Sequence, residues 1–511
     1  MTNARNKRSR GYAVLLLAVL ALTLIPLAGL AIDCAILYIV KARISAACDA
    51  AALAAARNLS LGQTLAEQEA TARARALSFY NANFAENFLG ATRLPPTITI
   101  PPGSVNNVLN ITVSGSARVR TYFMGMLRGS NIGVVNVAAT GTAARRDVKM
   151  MLVLDRSSSL DTSGDCDLMK SKSSEFVGRF ADGRDTIGLV VFGTNMVVIP
   201  PSQTFMNRIQ DTIEDIDCGE NTSASMAYWR AYEELVNSNP MPAALNTIVF
   251  FTDGIPNGIW ADFDVRNASG NRFGYREGPC GHNDTCPIPA STCSNPGNRI
   301  RGVLVQWGDN QPRGAVAGLF EPVGAQVTDS APRVARAGCA FSANGNHAEK
   351  VRKDLRFIPD VDAQSNRIRN YPIGYSQYKQ FVTNPDSDFD IQYPNQIRLD
   401  RPSTIAKASS NLLDYGAQRV RNRALNSQIG VVTYVIGLGS RSLPIQQQPD
   451  DVLLARVAND PGDPYDASRI RSPIYVDDPL LSDGMYIRAT NDAEMSAAFH
   501  KIASELLRLT K

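Results

Sequence analysis

Only three histidines occur in 511 residues, His282, His347 and His500, and they stand far apart with no serine or cysteine nucleophile motif beside them. There is no glycine-rich phosphate loop ending in lysine either. These absences remove the usual equipment for hydrolysis and phosphoryl transfer, so the chain is expected not to be an enzyme. One sign of charge does not dominate: 52 Lys and Arg against 48 Asp and Glu leave +4. No basic stripe interleaved with aromatics is present, and nucleic acid is not an expected partner. An apolar fraction of 44% with 20% charged residues is that of a globular protein, and the length predicts roughly two to four domains.

What the sequence does have is an acid at the end of an apolar run. Val148 to Ser159 reads VKMMLVLDRSSS, a buried strand that stops at Asp155 and is followed by Ser157 and Ser159 at alternate positions. A loop leaving the carboxyl end of a parallel strand can aim these three side chains at one point, where open α/β sheets bind ligands. Carboxylates with hydroxyls suit Mg2+, a hard cation that takes oxygen ligands and keeps several waters. Ser and Asp are also ordinary N-cap residues, and a strand-to-helix turn uses them without any metal. A second run of the same design, TIVFFTDG from Thr247 to Gly254, ends in Thr252 and Asp253 and favours the metal reading.

Together these stretches resemble the von Willebrand factor A domain and its metal-ion-dependent adhesion site. The resemblance implies one metal surrounded by the Asp and two serines of the first loop, a Thr from a separate loop and the Asp of the TDG sequence. The matching positions are Asp155, Ser157, Ser159 and Asp253. The third loop departs from the family pattern: it reads Cys218-Gly219-Glu220-Asn221-Thr222-Ser223, with Glu220 where Thr is expected if Asn221 is the matching Asn. Thr222 is the nearest hydroxyl and Glu220 the alternative ligand.

Residues 2–10 carry Arg5, Lys7, Arg8 and Arg10 without an acid, and the 21 residues from Tyr12 to Ile32 carry no charge. Such a run is long enough to span a bilayer. The basic cluster predicts a cytoplasmic N-terminus, residues 1–11, and an exported remainder. A cleaved signal peptide is the rival, but its apolar region is normally shorter and Gly29-Leu30-Ala31 is a poor cleavage site. A transmembrane helix over 12–40 is therefore expected to continue into an Ala-rich stalk helix over 41–94, with nine alanines between Ala42 and Ala56. Gly11 before the span, Asp33 at its outer end and the run Asp49-Ala50-Ala51-Ala52-Leu53-Ala54 resemble the N-terminal segment of TadE/TadG-like proteins of Flp (Tad) pilus assembly. Prepilin-like relatives carry Glu five residues after their cleaved glycine. Here that position is Leu16, so a permanent anchor is expected.

Prolines 95, 96, 101 and 102 close the helical region. Asn107–Val113, Ala117–Thr121 and Val134–Thr142 read as short antiparallel strands of a small sandwich-like module, residues 95–145. From about Arg146 to the end, further strands at Thr186–Phe192 and Gly430–Ile436 alternate with helices at Ser223–Val236 and in the last 27 residues. That alternation predicts a doubly wound parallel sheet, interrupted by an insertion over about 258–428 in which only Ser403–Asn422 reads as a helix. Arg398-Leu399-Asp400-Arg401-Pro402-Ser403 also resembles the large TadG-like members.

Cys166 and Cys218 would lie near one face of an A-like fold and could form a disulfide clamping the site. Cys280, Cys286, Cys293 and Cys339 fall in the insertion and could form two more in an oxidising exterior. The spacing Cys280-x-His282-x3-Cys286-x6-Cys293 also fits zinc. The combined expectation is a single-pass protein of the bacterial inner membrane, exported into the periplasm, that joins other Tad pilus-assembly proteins. Its A-like domain would bind an acidic protein ligand through Mg2+ or Mn2+. A surface adhesin for host or matrix carboxylates and a metal-free structural scaffold are the alternatives.

Overall fold

The computed structural model describes residues 6–59, 61–62, 64–104, 108–124, 133–238, 244–264, 299–307, 315–320, 357–371, 377–383, 387–391, 393–399, 402–422, 429–439, 448–462, 475–477 and 481–507. These form two compact units, one built on Met1–Arg146 and one on Asp147–Leu506.

The first unit begins with a 53-residue helix, α1 (Asn6–Asn58). From Val14 onward it is long and apolar enough to cross a membrane. The expected stalk over 41–94 is corrected here. α1 ends at Asn58, the chain turns through Gly62 at φ +140°, and a second helix, α2 (Leu65–Asn83), packs back against α1. Thr64 starts α2 with a capping box: its hydroxyl accepts from the Glu67 amide and the Glu67 carboxylate accepts from the Thr64 amide. The turn needs a left-handed glycine and a fresh cap, both present at 62–67.

The alanines have a packing role. Ala47, Ala51, Ala52, Ala55 and Ala56 are buried in one core with Tyr80 of α2, with Phe84 at its C-cap and with an antiparallel sheet. That sheet comprises the short strands β1 (Thr92–Arg93) and β2 (Thr97–Thr99) and the long strands β3 (Val108–Arg120) and β4 (Val134–Arg146). β4 pairs with β3 along its whole length, and β1 and β2 share the opposite edge. The module is thus one sheet laid on a helix instead of a small sandwich. Val108–Val113 and Ala117–Arg120 of the two expected strands belong to the single strand β3, because Ser114-Gly115-Ser116 does not break it, and Asn107 lies outside the described residues. Gly115 leaves the room that the Tyr80 ring occupies, and Gly141 of β4 meets the α1 backbone at Cys48 and Asp49, where any side chain would collide. Small residues on both surfaces let sheet and helix approach closely.

The second unit is a doubly wound sheet. Its strands are β5 (Val148–Asp155), β6 (Thr186–Phe192), β7 (Met196–Ser202) and β8 (Leu245–Thr252), followed beyond the insertion by β14 (Val431–Leu438) and β15 (Met485–Ala489). The order is β15-β14-β8-β5-β6-β7, parallel except for the antiparallel edge strand β7. All eight residues of β5 are buried, as expected for a central strand covered on both faces. The helices are α3 (Ser158–Ser163), α4 (Cys166–Val177), α5 (Met206–Glu214), α6 (Ala224–Asn237), α7 (Pro402–Arg421), α8 (Asp451–Ala458) and α9 (Asp492–Leu506). α4 packs with α5 and α9, whereas α6 packs with α7 and α7 with α8.

Within the insertion the strands β9 (Gly258–Asp264), β10 (Arg299–Trp307) and β11 (Ala315–Phe320) form an antiparallel sheet, and β12 (Phe357–Ile358) pairs with β13 (Ile397–Arg398). The insertion has a core of its own: Ile259, Ala261, Phe263, Leu304, Ile358, Ile368, Ile397 and Leu399 pack against Ile405, Ala408 and Leu412 of α7. Leu413, Ala417 and Val420 on the other side of α7 belong to the main core beside Val431 and Val435 of β14.

The close approach of β4 to α1 yields a test of the first unit. Gly141→Leu is expected to destabilise the unit by about 1–3 kcal/mol, read as a lower urea midpoint of the full chain. An unchanged midpoint would show that the alanine face is not the packing surface.

Candidate metal centre

The central strand β5 places Asp155 at its carboxyl end, fully buried, and the chain turns there because the Ser157 amide donates to Asp155 Oδ1 at 2.8 Å. The neighbouring strand β8 ends level with it. Thr252 Oγ1 donates to Asp155 Oδ2 at 2.5 Å, and the next residue, Asp253, turns its carboxylate toward the two serines. Ser159 Oγ donates to Asp253 Oδ1 at 2.8 Å and Ser157 Oγ to the same oxygen at 3.3 Å, with the two hydroxyls 3.0 Å apart. Thus Asp155, Ser157, Ser159 and Asp253 lie together at the carboxyl edge of the sheet, the usual ligand position in such folds.

Thr222 reaches the same place from the third loop. A Cβ added at Gly254 would lie 3.4 Å from Ser159 Oγ and 3.7 Å from Thr222 Oγ1. The loop is pinned by two bonds to Asn257: the Thr222 amide donates to Asn257 Oδ1 at 2.7 Å and the Asn257 amide to the Thr222 carbonyl at 3.0 Å.

Glu220, the alternative to Thr222, is committed elsewhere. Its carboxylate pairs with Arg156 at 2.9 Å and accepts from the amides of Thr194 at 2.7 Å and Asn195 at 3.4 Å. Both partners are buried, Arg156 at 0% and Glu220 at 3%. Arg156 also donates to Asn195 Oδ1 and to the Asp217 carbonyl. Asn221 donates its side-chain amide to Thr194 Oγ1 at 3.2 Å. Gly193 is required beside this pair, since a Cβ there would strike the Glu220 side chain. The ligand alternative offered by Glu220 is therefore corrected: its charge is spent on an internal cation, and Thr222 is the hydroxyl that faces the two aspartates' loops.

A disulfide joins Cys166, at the start of α4, to Cys218 just before Glu220. Among the described residues Cys34 and Cys48 are free. Cys280, Cys286, Cys293 and Cys339 lie outside the described residues, as do His282 and His347. His500 is on α9 beside Arg179 and Glu175, remote in role from the loops of the site.

Burial pushes the carboxyls of both Asp155 and Asp253 up, and the charge of Asp155 raises Asp253 further. Hydrogen bonds from Thr252, Ser157 and Ser159 act in the opposite direction. Two buried carboxylates side by side are stabilised in ionised form by a cation placed between them. The donor set is two carboxylates and three hydroxyls, all oxygen, and among the described residues no cluster of three or more His, Cys, Asp or Glu side chains occurs. This set fits Mg2+ or Mn2+ and not a soft metal. Thr252, Arg156 and Asn257 were not singled out as site residues from sequence. The TDG run contained Thr252, but nothing in one sequence tells a buried hydrogen-bonding Thr from a strand Thr.

Residues 150–255 match the von Willebrand factor type A domain, and residues 11–58 match the putative Flp pilus-assembly TadE/G-like family. The chain joins a TadE/TadG-like segment to a von Willebrand factor A domain. Among solved structures it is similar to the PilB minor pilin from Streptococcus sanguinis, at 14% identity over 82% of this chain and 78% of that one, with a TM-score of 0.33. It is also similar to the von Willebrand factor domain of the type V pili tip protein Mfa5 from Porphyromonas gingivalis, at 15% identity over 70% of this chain and 95% of that one, TM-score 0.33. No curated protein matches the chain.

The buried pair gives a direct test. Arg156→Met leaves Glu220 charged and unpaired in the interior, and is expected to cost about 3–5 kcal/mol in urea unfolding. Replacing both residues together, Arg156→Met with Glu220→Gln, should cost less than Arg156→Met alone. Equal losses would show that the pair does not order the loop.

Proposed function

We propose that this protein is a membrane-anchored component of Tad pilus assembly whose exported A domain binds an acidic protein partner through a divalent cation. The observation that carries the reading is the convergence of Asp155, Ser157, Ser159, Thr222 and Asp253 at the carboxyl ends of β5 and β8. Bound there, Mg2+ or Mn2+ supplies a Lewis-acidic position that a partner carboxylate can fill. Asp155 and Asp253 would provide the negative charge, Ser157, Ser159 and Thr222 neutral oxygens, and Thr252 orients Asp155 through its hydroxyl.

The anchor is α1, with the basic cluster of Arg5, Lys7, Arg8 and Arg10 in the N-terminal sequence on the cytoplasmic side by the positive-inside rule and the chain beyond the span exported. A metal-free scaffold is the second reading. It is favoured by one observation, the internal satisfaction of the site: Ser157 and Ser159 already donate to Asp253, and Thr252 to Asp155.

Calorimetric titration of the full chain in detergent with Mg2+ or Mn2+ separates the two. Saturable binding that disappears in Asp155→Ala supports the metal-bridged reading. No heat with either ion would sink it and leave the scaffold. Thr222→Ala is expected to weaken Mg2+ binding by about tenfold, the order of one hydrogen-bonded or ligating hydroxyl.

A further inference from the structure

Asp33 stands out in the first unit. It is an acid in the middle of an apolar helix, 1% exposed, while its neighbours Ile32 and Cys34 are exposed. Its carboxylate is filled by three consecutive backbone amides from the end of β3. Tyr122 donates to Oδ1 at 2.9 Å, and Phe123 and Met124 donate to Oδ2 at 2.8 and 2.7 Å. One turn earlier on α1, Gly29 is buried because the Phe123 ring occupies the space where its side chain would be. Residues 122–124, just after β3, are therefore clamped to α1 at Gly29 and Asp33.

The clamp sits at a definite depth. From Val14 to Asp33 is nineteen residues, about 29 Å along a helix at about 1.5 Å each, close to the roughly 30 Å of bilayer hydrocarbon. α1 remains apolar and exposed on its free side past the clamp, with Ile39 at 47% and Tyr38 at 75%. Tyr122, in the clamped segment, is exposed at 60%. Tyrosine favours the membrane–water boundary, where its ring is apolar and its hydroxyl wet. An ionised carboxylate at such a boundary is costly unless satisfied by the protein, and three amides do that for Asp33. The same bonds satisfy backbone N–H groups that lipid cannot.

We infer that residues 122–124, which follow β3 and are led by Tyr122, enter the outer lipid interface beside α1, with Asp33 as the latch that holds them there. The first unit thus has two attachments to one leaflet, a spanning helix and the interfacial segment latched to it. The inference rests on the proposed reading of α1 as a membrane anchor, and the exposed apolar side chains of α1 on either side of Asp33, Leu27 and Ile32 before it and Tyr38 and Ile39 after it, identify lipid as what covers this level of the helix.

The test uses the full chain reconstituted into phosphatidylethanolamine and phosphatidylglycerol vesicles with brominated acyl chains. An environment-sensitive fluorescent amino acid is placed in separate variants at Leu20 within α1, at Tyr122, or at Ala70 on α2. Quenching at 20 and 122 with none at 70 is expected. Quenching at 20 with position 122 behaving like position 70 overturns the inference and leaves the anchor standing. No quenching at 20 removes the anchor and the inference with it. Asp33→Ala and Gly29→Leu release the latch by different means, loss of the acceptor and displacement of Phe123. In both, quenching at 122 should be lost while that at 20 is kept, and the amides of Tyr122, Phe123 and Met124 should exchange about tenfold faster or more. Unaltered quenching at 122 in both variants would refute the latch.

Discussion

The ion pair between Arg156 and Glu220 joins three loops that no regular secondary structure connects. Arg156 follows directly on the strand-ending Asp155, Glu220 precedes Thr222 by two residues, and the Glu220 carboxylate also takes the amides of the turn between β6 and β7. A charge in the interior is tolerated only with its partner in place, so each loop holds the others in one arrangement. The Ser158 amide adds a bond to the Glu220 carbonyl at 2.7 Å, and the Cys166–Cys218 disulfide closes the same loop covalently. The oxygens of Asp155, Ser157, Ser159, Thr222 and Asp253 are brought together by a framework of ion pair, amides and disulfide that lies behind them.

The strands that carry the site were legible because they are extreme. Met150–Leu154 and Ile248–Phe251 are unbroken apolar runs that lead directly to Asp155 and, through Thr252, to Asp253, the pattern of a strand buried on both faces and opening onto a polar loop. Thr186–Phe192 and the 402–421 helix were equally plain. Glu220 was misleading, since an acid beside a candidate metal site resembles a ligand. Its true partner, Arg156, is separated from it by 64 positions and meets it only because β5 and the third loop end at the same edge. Pairings of this kind depend on tertiary proximity, which one sequence does not encode locally. The strands of the insertion were missed for a similar reason, because β9 and β10 are separated by a long segment and neither alternates strongly.

Alanine misled in another way. A run such as Ala50-Ala51-Ala52-Leu53-Ala54-Ala55-Ala56 is what a solvent-exposed stalk needs, since alanine is the best helix former, and it is also what a close-packed helix face needs. The sequence contains both meanings. The structure selects the second: α2 and the β3–β4 sheet lie on that face, and glycines 115 and 141 are their complement. The capping box at Thr64 and Glu67 was the local signal that the helix restarts there, and it sat inside the stretch assigned to one continuous helix.

Helix α7 has consequences for how such a chain can change over time. Leu412 faces the core of the insertion and its neighbour Leu413 faces the core of the sheet, so the helix is a wall common to two rooms. Pruning the insertion would strip one side of that wall bare and set an amphipathic helix with two greasy sides against water. Descendants of this chain are therefore bound to keep the part of the insertion that rests on α7.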